Sequence, residues 1–194
     1  MNRAPIKAVV IGGSAGALQA LFTILRDLPE NYALPILITV HLPPERKSIF
    51  AEILQSKCQI TVREAQDKES VSIGTAYIAP PDYHLLVEKE GTLALSSDEP
   101  VLHSRPAIDV LFESAADAYG PSVVGIVLSG ANADGAKGLK SIENAGGVTI
   151  VEDPGTAYAS AMPQAALDTC SEAFVFSLDQ LAVYLKNLEG ESRI

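Results

Sequence analysis

Short apolar runs alternate with amphipathic stretches along this chain. Ala8–Ile11 and Pro35–Val40 are runs of consecutive apolar or β-branched residues, as expected for strands that are covered on both faces. Between them, apolar positions recur at i, i+3, i+4 and i+7, which predicts one buried helical face that ends before Pro29. Those positions are Leu18, Leu21, Phe22 and Leu25. The pattern is typical of parallel strands joined by crossover helices.

The same alternation returns in the second half of the chain. Val123–Leu128 and Val148–Val151 are the predicted strands there. The remaining predicted helices are Ser48–Gln55, Ile108–Ala115 with Pro106 in its first turn, Ala136–Asn144, Gln164–Asp168 and Leu178–Leu188.

The middle of the chain has a different pattern. Thr75–Ala79, His84–Glu88 and Leu93–Leu95 are short apolar segments, and Gly91 marks a tight turn, so we expect antiparallel strands in a hairpin appendage. The predicted fold class is α/β, with a doubly wound, mostly parallel sheet, flanking helices and a small antiparallel hairpin. No linker divides the chain, so residues 1–194 are expected to form a single domain.

Composition and charge exclude several classes of protein. The 194 residues are 47% apolar, enough for a packed core. A net charge of −10, from 14 Lys and Arg against 24 Asp and Glu, makes nucleic acid and anionic membranes poor partners. No apolar run approaches the roughly 20 residues of a membrane span, and two cysteines are too few for a disulfide scaffold. We therefore expect a cytoplasmic protein.

Candidate catalytic groups follow three of the predicted strands. Gly12–Gly16 reads G-x-S-x-G directly after the first strand, which exposes the Ser14 hydroxyl at the start of a helix. His41 follows the second strand, and Asp134 lies in the loop after Ser129. Because ligands of open α/β sheets bind beyond the carboxyl ends of the strands, a nucleophile, a base and an acid are expected at one edge.

Each of these residues also has a structural interpretation. Ser14 and Asp134 are good N-caps for the helices that follow them, and His41 suits a hydrogen-bonded turn. Their coincidence at one sheet edge favours catalysis. The order Ser14, His41, Asp134 differs from the Ser, acid, His order of α/β-hydrolases, so the G-x-S-x-G motif alone would indicate the wrong family.

Four other polar residues compete for these roles. We expect His84 and His103 to be structural, although His103 is the better candidate of the two for lining the site. Asp109, near the start of a helix, is expected to be solvated or to interact with the helix dipole. Arg105 is expected to pair with a carboxylate of the protein rather than of a substrate.

Six ordered motifs together closely resemble the catalytic domain of chemotaxis protein-glutamate methylesterases of the CheB type. The resemblance covers nearly the whole chain and is far more specific than one G-x-S-x-G. The motifs are Val9–Ser14, Val40–Pro44, Ala76–Asp82, Arg105–Phe112, Ser129–Ala136 and Ala161–Ala166.

This resemblance implies a doubly wound α/β fold and a serine hydrolase without a cofactor or metal. The implied reaction removes methyl esters from glutamates in the cytoplasmic helical region of chemoreceptors, releases methanol, and extends to deamidation of receptor glutamines. Ser14 matches the family's nucleophile, His41 its general base and Asp134 its orienting acid. The loop before Asp134 would supply oxyanion-hole N–H groups, among them that of Ala131, at about 3 kcal/mol per donor.

The chain also departs from the family's pattern. Ser14–Ala17 reads Ser-Ala-Gly-Ala where the family usually has Ser-Thr-Gly-Gly. Likewise, Gly130–Gly135 reads Gly-Ala-Asn-Ala-Asp-Gly where the family usually has Gly-Met-Gly-Asn-Asp-Gly. The first strand begins within ten residues of Met1, where the familiar enzyme has a receiver domain. We therefore expect a stand-alone, open catalytic domain that needs no phosphodonor. Its control is expected to come from expression, from receptor conformation, or from a separate regulatory protein that docks over the Ser14 edge.

Two other function classes are weighed against the esterase. A nucleotide-binding module would use the glycine-rich turn as a phosphate cradle. However, Ser14 and Ala17 stand where G-x-G-x-x-G requires glycines, and no P-loop lysine follows. A catalytically weak scaffold that binds receptors without turnover would retain all three residue types, and only an activity assay separates it from the esterase.

Overall fold

A seven-stranded parallel sheet is the centre of the fold in the computed structural model, which describes residues 4–41 and 49–191. Its strand order is β3-β4-β2-β1-β7-β8-β9, and β5 and β6 form a separate antiparallel pair. The strands are β1 Ala8–Gly13, β2 Ile36–Val40, β3 Thr61–Glu64, β4 Thr75–Ile78, β5 His84–Val87, β6 Leu93–Ser96, β7 Val123–Val127, β8 Val148–Glu152 and β9 Phe174–Phe176. The predicted α/β fold class and the hairpin are confirmed.

Helices cover both faces of the sheet. They are α1 Ala17–Leu25, α2 Phe50–Gln55, α3 Ile108–Tyr119, α4 Ala136–Asn144, α5 Ala161–Thr169 and α6 Leu178–Glu191. Alternate residues of β1 point to opposite faces of the sheet, because side chains along a strand have a period of two. Val9 and Ile11 pack with α1 and α6, whereas Val10 packs with α3, α4 and the β5–β6 hairpin. Among the described residues, no helix has the length and apolarity needed to cross a membrane.

The order of the strands places a topological switch point beside β1. The chain passes from β1 to β2 on one side, and later from β7 to β8 on the other, so the direction of winding changes at β1 and β7. Open α/β sheets bind ligands at such a switch point, beyond the carboxyl ends of the strands. A ligand site is therefore expected among the residues that follow β1, β2 and β7.

The structure corrects the prediction for the middle of the chain. The segment assigned to the hairpin, Thr75–Ala79, instead supplies β4, a buried parallel strand between β3 and β2. Among the strands of the described residues, β5 and β6 alone pair in antiparallel fashion, apart from two isolated bridges. A buried interior strand and a hairpin strand have the same short apolar sequence, and only long-range pairing separates them.

Other boundaries shift by smaller amounts. Two strands were not predicted from the sequence. The strand β3 is largely polar, and β9 has only three residues. The helix α5 begins at Ala161 rather than Gln164, and Pro106 precedes α3 rather than entering its first turn. The predicted start of α2 at Ser48 lies outside the described residues, as do Leu42, Pro43 and Pro44 of the second motif.

Candidate active site

Ser14 lies in a three-residue turn between β1 and α1. Its N–H donates to the carbonyl of Ser129 at 2.9 Å, and its carbonyl accepts from the N–H of Ala17 at 3.0 Å. The N-cap residue of α1 is Gly16, and no side-chain hydrogen bond caps this helix. The capping interpretation of Ser14 is therefore wrong, and this half-buried residue lies at the carboxyl edge of the sheet, directly after β1.

His41 stands next to Ser14 because their strands are neighbours in register. Gly13 pairs with Val40, and the His41 N–H donates to the carbonyl of Gly13 at 3.2 Å. The His41 side chain is 14% exposed, and its Nε2 lies 2.7 Å from Oδ2 of Asp134. A carboxylate oxygen accepts, so the proton of neutral His41 is assigned to Nε2 and Nδ1 is left as the acceptor. No hydrogen bond joins Ser14 to His41 among the described residues.

Asp134 is fully buried and accepts three hydrogen bonds. Oδ2 accepts from His41 Nε2 and from the N–H of Ile108 at 2.7 Å, and Oδ1 accepts from the N–H of Asp109 at 3.0 Å. Two of these donors belong to the first turn of α3, whose free N–H groups favour a negative charge. Asp134 does not cap its own helix, α4, as the alternative interpretation predicts, because the N-cap there is Gly135. It binds the start of α3 instead.

Asp109 makes the reciprocal interaction, in which a carboxylate of α3 binds the first turn of α4. It is buried, and its Oδ1 accepts from the N–H groups of Gly135 at 3.0 Å and Gly138 at 2.7 Å. A Cβ at position 138 would lie 2.6 Å from Cβ of Phe112, so only glycine lets the two helices approach this closely. Each carboxylate thus binds the first turn of the other helix, and burial raises the pKa of Asp109.

The expectation that Asp109 is solvated is therefore wrong. A signal was present in the sequence, because Asp109 lies three residues before Phe112 and so falls on the apolar face of α3. A carboxylate on such a face needs hydrogen-bond donors from elsewhere in the fold.

Loss of the Asp109 carboxylate should destabilise the protein. Asp109→Ala leaves two buried N–H groups without an acceptor, and we expect a loss of about 2–4 kcal/mol in the free energy of unfolding. Asp109→Asn keeps one acceptor oxygen and should lose less. Urea unfolding measures both, with the exposed Asp117→Ala as the control on the same helix. Equal losses for the alanine and asparagine variants would contradict the assigned hydrogen bonds.

Ser129 connects the Ser14 turn to the rest of the edge. Its buried hydroxyl donates to the carbonyl of Ala15 at 2.7 Å and accepts from the N–H of Ala159 at 2.7 Å. Its N–H donates to Oε2 of Glu152 at 2.7 Å, and Glu152 is buried at the end of β8. Burial raises the pKa of Glu152. Sequence reasoning missed Glu152 because an acidic residue after a strand is usually solvent-exposed.

The raised pKa of Glu152 predicts a pH-dependent cost to stability. The folded protein holds this proton more tightly than the unfolded chain, so the glutamate destabilises the fold progressively as pH rises above about 4. Glu152→Gln keeps an acceptor for Ser129 and removes the charge. Its free energy of unfolding should match that of the parent at acidic pH and exceed it at pH 7. Urea titrations from pH 4 to 8 test this, and a pH-independent difference would contradict it.

Two of the competing residues, His84 and Arg105, have structural roles. His84 is buried at the start of β5, where Nδ1 accepts from the N–H of Ala107 and Nε2 donates to the carbonyl of Glu99, each at 3.1 Å. Arg105 pairs with Asp82, as expected for a carboxylate of the protein. His103 is exposed in a turn. Within residues 4–41 and 49–191, no group of three His, Cys, Asp or Glu side chains could hold a metal ion.

Two backbone donors border the same edge. The N–H groups of Ala15 and Ala131 donate to no acceptor within the described part of the chain. Ala131 is exposed, and the preceding Gly130 is held by Ala159 and Met162 through backbone hydrogen bonds of 3.1 and 3.0 Å. The edge therefore combines a hydroxyl, an imidazole held by a carboxylate, and N–H groups on an anchored loop. This set can support acyl transfer.

Comparison with known proteins gives one consistent result. Residues 9–185 match the family described as CheB methylesterase. A relative from Leptospira interrogans serogroup Icterohaemorrhagiae, provisionally named a protein-glutamate methylesterase/protein-glutamine glutaminase, is 44% identical over 176 residues, 91% of each chain. A Symbiobacterium thermophilum protein with those two activities in its name is 36% identical over 190 residues, 98% of this chain but 52% of that protein.

A solved structure extends this similarity to three dimensions. The crystal structure of the Thermotoga maritima CheB methylesterase catalytic domain superimposes with a TM-score of 0.89 and 32% sequence identity. The match covers 95% of this chain and all of that one.

Proposed function

Because the chain belongs to the CheB methylesterase family, we propose that it is a serine hydrolase that removes methyl esters from glutamate side chains of chemoreceptors and releases methanol. The observation that carries this proposal is the 2.7 Å contact between His41 Nε2 and Asp134, made beside Ser14 on the neighbouring strand. The proposed catalytic residues are Ser14, His41 and Asp134. We further propose that residues 1–194 form one catalytic domain.

The first half of the proposed reaction forms an acyl-enzyme. Ser14 Oγ attacks the ester carbonyl carbon while Nδ1 of His41 accepts the hydroxyl proton. Asp134 holds the imidazole through Nε2 and stabilises the imidazolium that forms. In this proposal the N–H groups of Ala15 and Ala131 donate to the developing oxyanion, a contribution of about 3 kcal/mol per donor. The carbon–oxygen bond to the methoxy group then breaks, and methanol leaves with the proton from His41.

The second half restores the enzyme. A water molecule gives one proton to His41 and attacks the acyl carbon, and the bond to Ser14 Oγ breaks as the hydroxyl regains its proton from the imidazolium. The product is a glutamic acid side chain on the receptor, which ionises to the carboxylate by losing the second proton of the water to solvent. The same steps applied to a glutamine side chain would release ammonia, so receptor deamidation is part of the proposal.

The proposed substrate is the cytoplasmic helical region of methyl-accepting chemoreceptors, and the proposed location of the protein is the cytoplasm. The net charge of −10 argues against nucleic acid as a second partner. Each methyl ester that is removed adds one negative charge to the receptor. Like charges on the enzyme and the product favour dissociation after turnover.

Methanol release tests the proposed function directly. Receptor membranes that carry isotopically labelled glutamyl methyl esters are incubated with the purified chain, and volatile label is measured over time. We expect release that is proportional to enzyme concentration and absent from membranes incubated alone. Release no faster than from membranes alone would reject the proposal and favour a receptor-binding scaffold.

A further inference from the structure

Tyr158 is a large side chain that the packed core does not use. It is 82% exposed, the highest exposure among the large hydrophobic side chains that the structure describes, and it lies in the loop between β8 and α5. An aromatic ring left in water at such a position loses the contacts that a ring normally gains by burial.

The position of Tyr158 relates it to the proposed nucleophile. It packs over Gly16, two residues after Ser14, where a Cβ would lie 2.6 Å from Cβ and 3.0 Å from Cγ of Tyr158. Gly16 has φ +84°, a conformation that favours glycine, so both the turn and the close approach need this residue. The exposed ring therefore borders the turn that presents the Ser14 hydroxyl.

Hydrogen bonds fix Tyr158 relative to Ser14. The Ser129 hydroxyl joins the carbonyl of Ala15 to the N–H of Ala159, which are the residues directly after Ser14 and after Tyr158. The N–H groups of Thr156 and Ala157 each donate to the carbonyl of Asp153 at 3.0 Å, which closes the loop on itself. The backbone that carries Tyr158 is thus held beside the Ser14 turn, so the loop itself needs no ordering when a partner binds.

We propose that Tyr158 is a specificity-determining residue that contacts the receptor polypeptide flanking the glutamyl ester. This inference rests on the proposed function. The ring would cover apolar side chains and methylene groups of the receptor segment that carries the ester. Tyrosine is among the residue types that most often dominate binding to a protein partner. A small ester that lacks flanking residues would not reach it.

Paired substrates test this role. One is the methylated receptor in membranes, and the other is N-acetyl-glutamate γ-methyl ester α-amide, which has the same scissile bond and no flanking polypeptide. For Tyr158→Ala we expect kcat/KM to fall about tenfold on the receptor, mainly through KM, and to stay within about twofold on the small ester. Tyr158→Phe keeps the ring and should retain parental rates on both.

Ile73→Ala is the matched control. Ile73 is 69% exposed and precedes β4, so it lies at the opposite edge of the parallel sheet from Ser14. The Ile73→Ala variant should have parental kcat/KM on both substrates. Equal losses for Tyr158→Ala on both substrates would show that Tyr158 acts through the Ser14 turn, and no loss on the receptor would show no contact. Either result overturns the inference, whereas a parental chain that hydrolyses neither substrate overturns the proposed function itself.

Discussion

Ser14→Ala is expected to reduce methanol release from methylated receptors on the order of 10³-fold or more. The variant keeps the backbone of the turn but has no oxygen to form the acyl-enzyme, and what remains is binding and oxyanion stabilisation. Because the Ser14 side chain caps no helix, its loss should leave the free energy of unfolding nearly unchanged. Initial rates at saturating receptor, together with urea unfolding, measure the two effects separately.

His41→Ala should give a loss of similar size. The double variant should be little worse than either single variant, because residues that act as one unit are strongly non-additive. Ser160→Ala is the matched control, since Ser160 is exposed before α5 and its side chain caps nothing. A Ser14→Ala variant that retains more than about a tenth of parental activity, a loss below roughly 1.4 kcal/mol, would exclude Ser14 as the nucleophile.

Asp134→Asn is expected to lower kcat on the order of 10³-fold or more. An asparagine has one acceptor oxygen where Asp134 uses two. If its NH₂ group faces His41, the imidazole must carry its proton on Nδ1 and cannot accept the Ser14 proton. If its NH₂ group instead faces the N–H of Asp109, the bond to His41 remains but the charge that stabilises the imidazolium is gone.

Both orientations of the substituted amide also leave an N–H donor of α3 facing another donor. We therefore expect a loss of about 1–3 kcal/mol in the free energy of unfolding, which accompanies the kinetic defect. NMR of the His41 ring nitrogens reports which tautomer is present. Asp117→Asn is the control on the exposed side of α3. Parental kcat in the Asp134→Asn variant would remove Asp134 from the proposed mechanism.

The sequence by itself determined the fold class and the positions of Ser14 and His41. Consecutive apolar runs followed by helical periodicity indicated parallel strands, and parallel strands bring their carboxyl ends to one edge. Ser14 and His41 each follow such a strand directly, so their proximity needs only that β1 and β2 be neighbours. The predicted strand and helix near Val123–Leu128 and Ala136–Asn144 are confirmed for the same reason, since local periodicity specifies them.

The tertiary structure alone decided which partners the buried carboxylates have. Asp134 and Asp109 are 25 residues apart, and their exchange of hydrogen bonds depends on α3 and α4 packing closely at Gly138. In the same way, Glu152 meets the N–H of Ser129 only because β7 and β8 pair. Local periodicity places a residue on a face of its own element, whereas the hydrogen-bond donors it meets belong to elements that only long-range packing brings together.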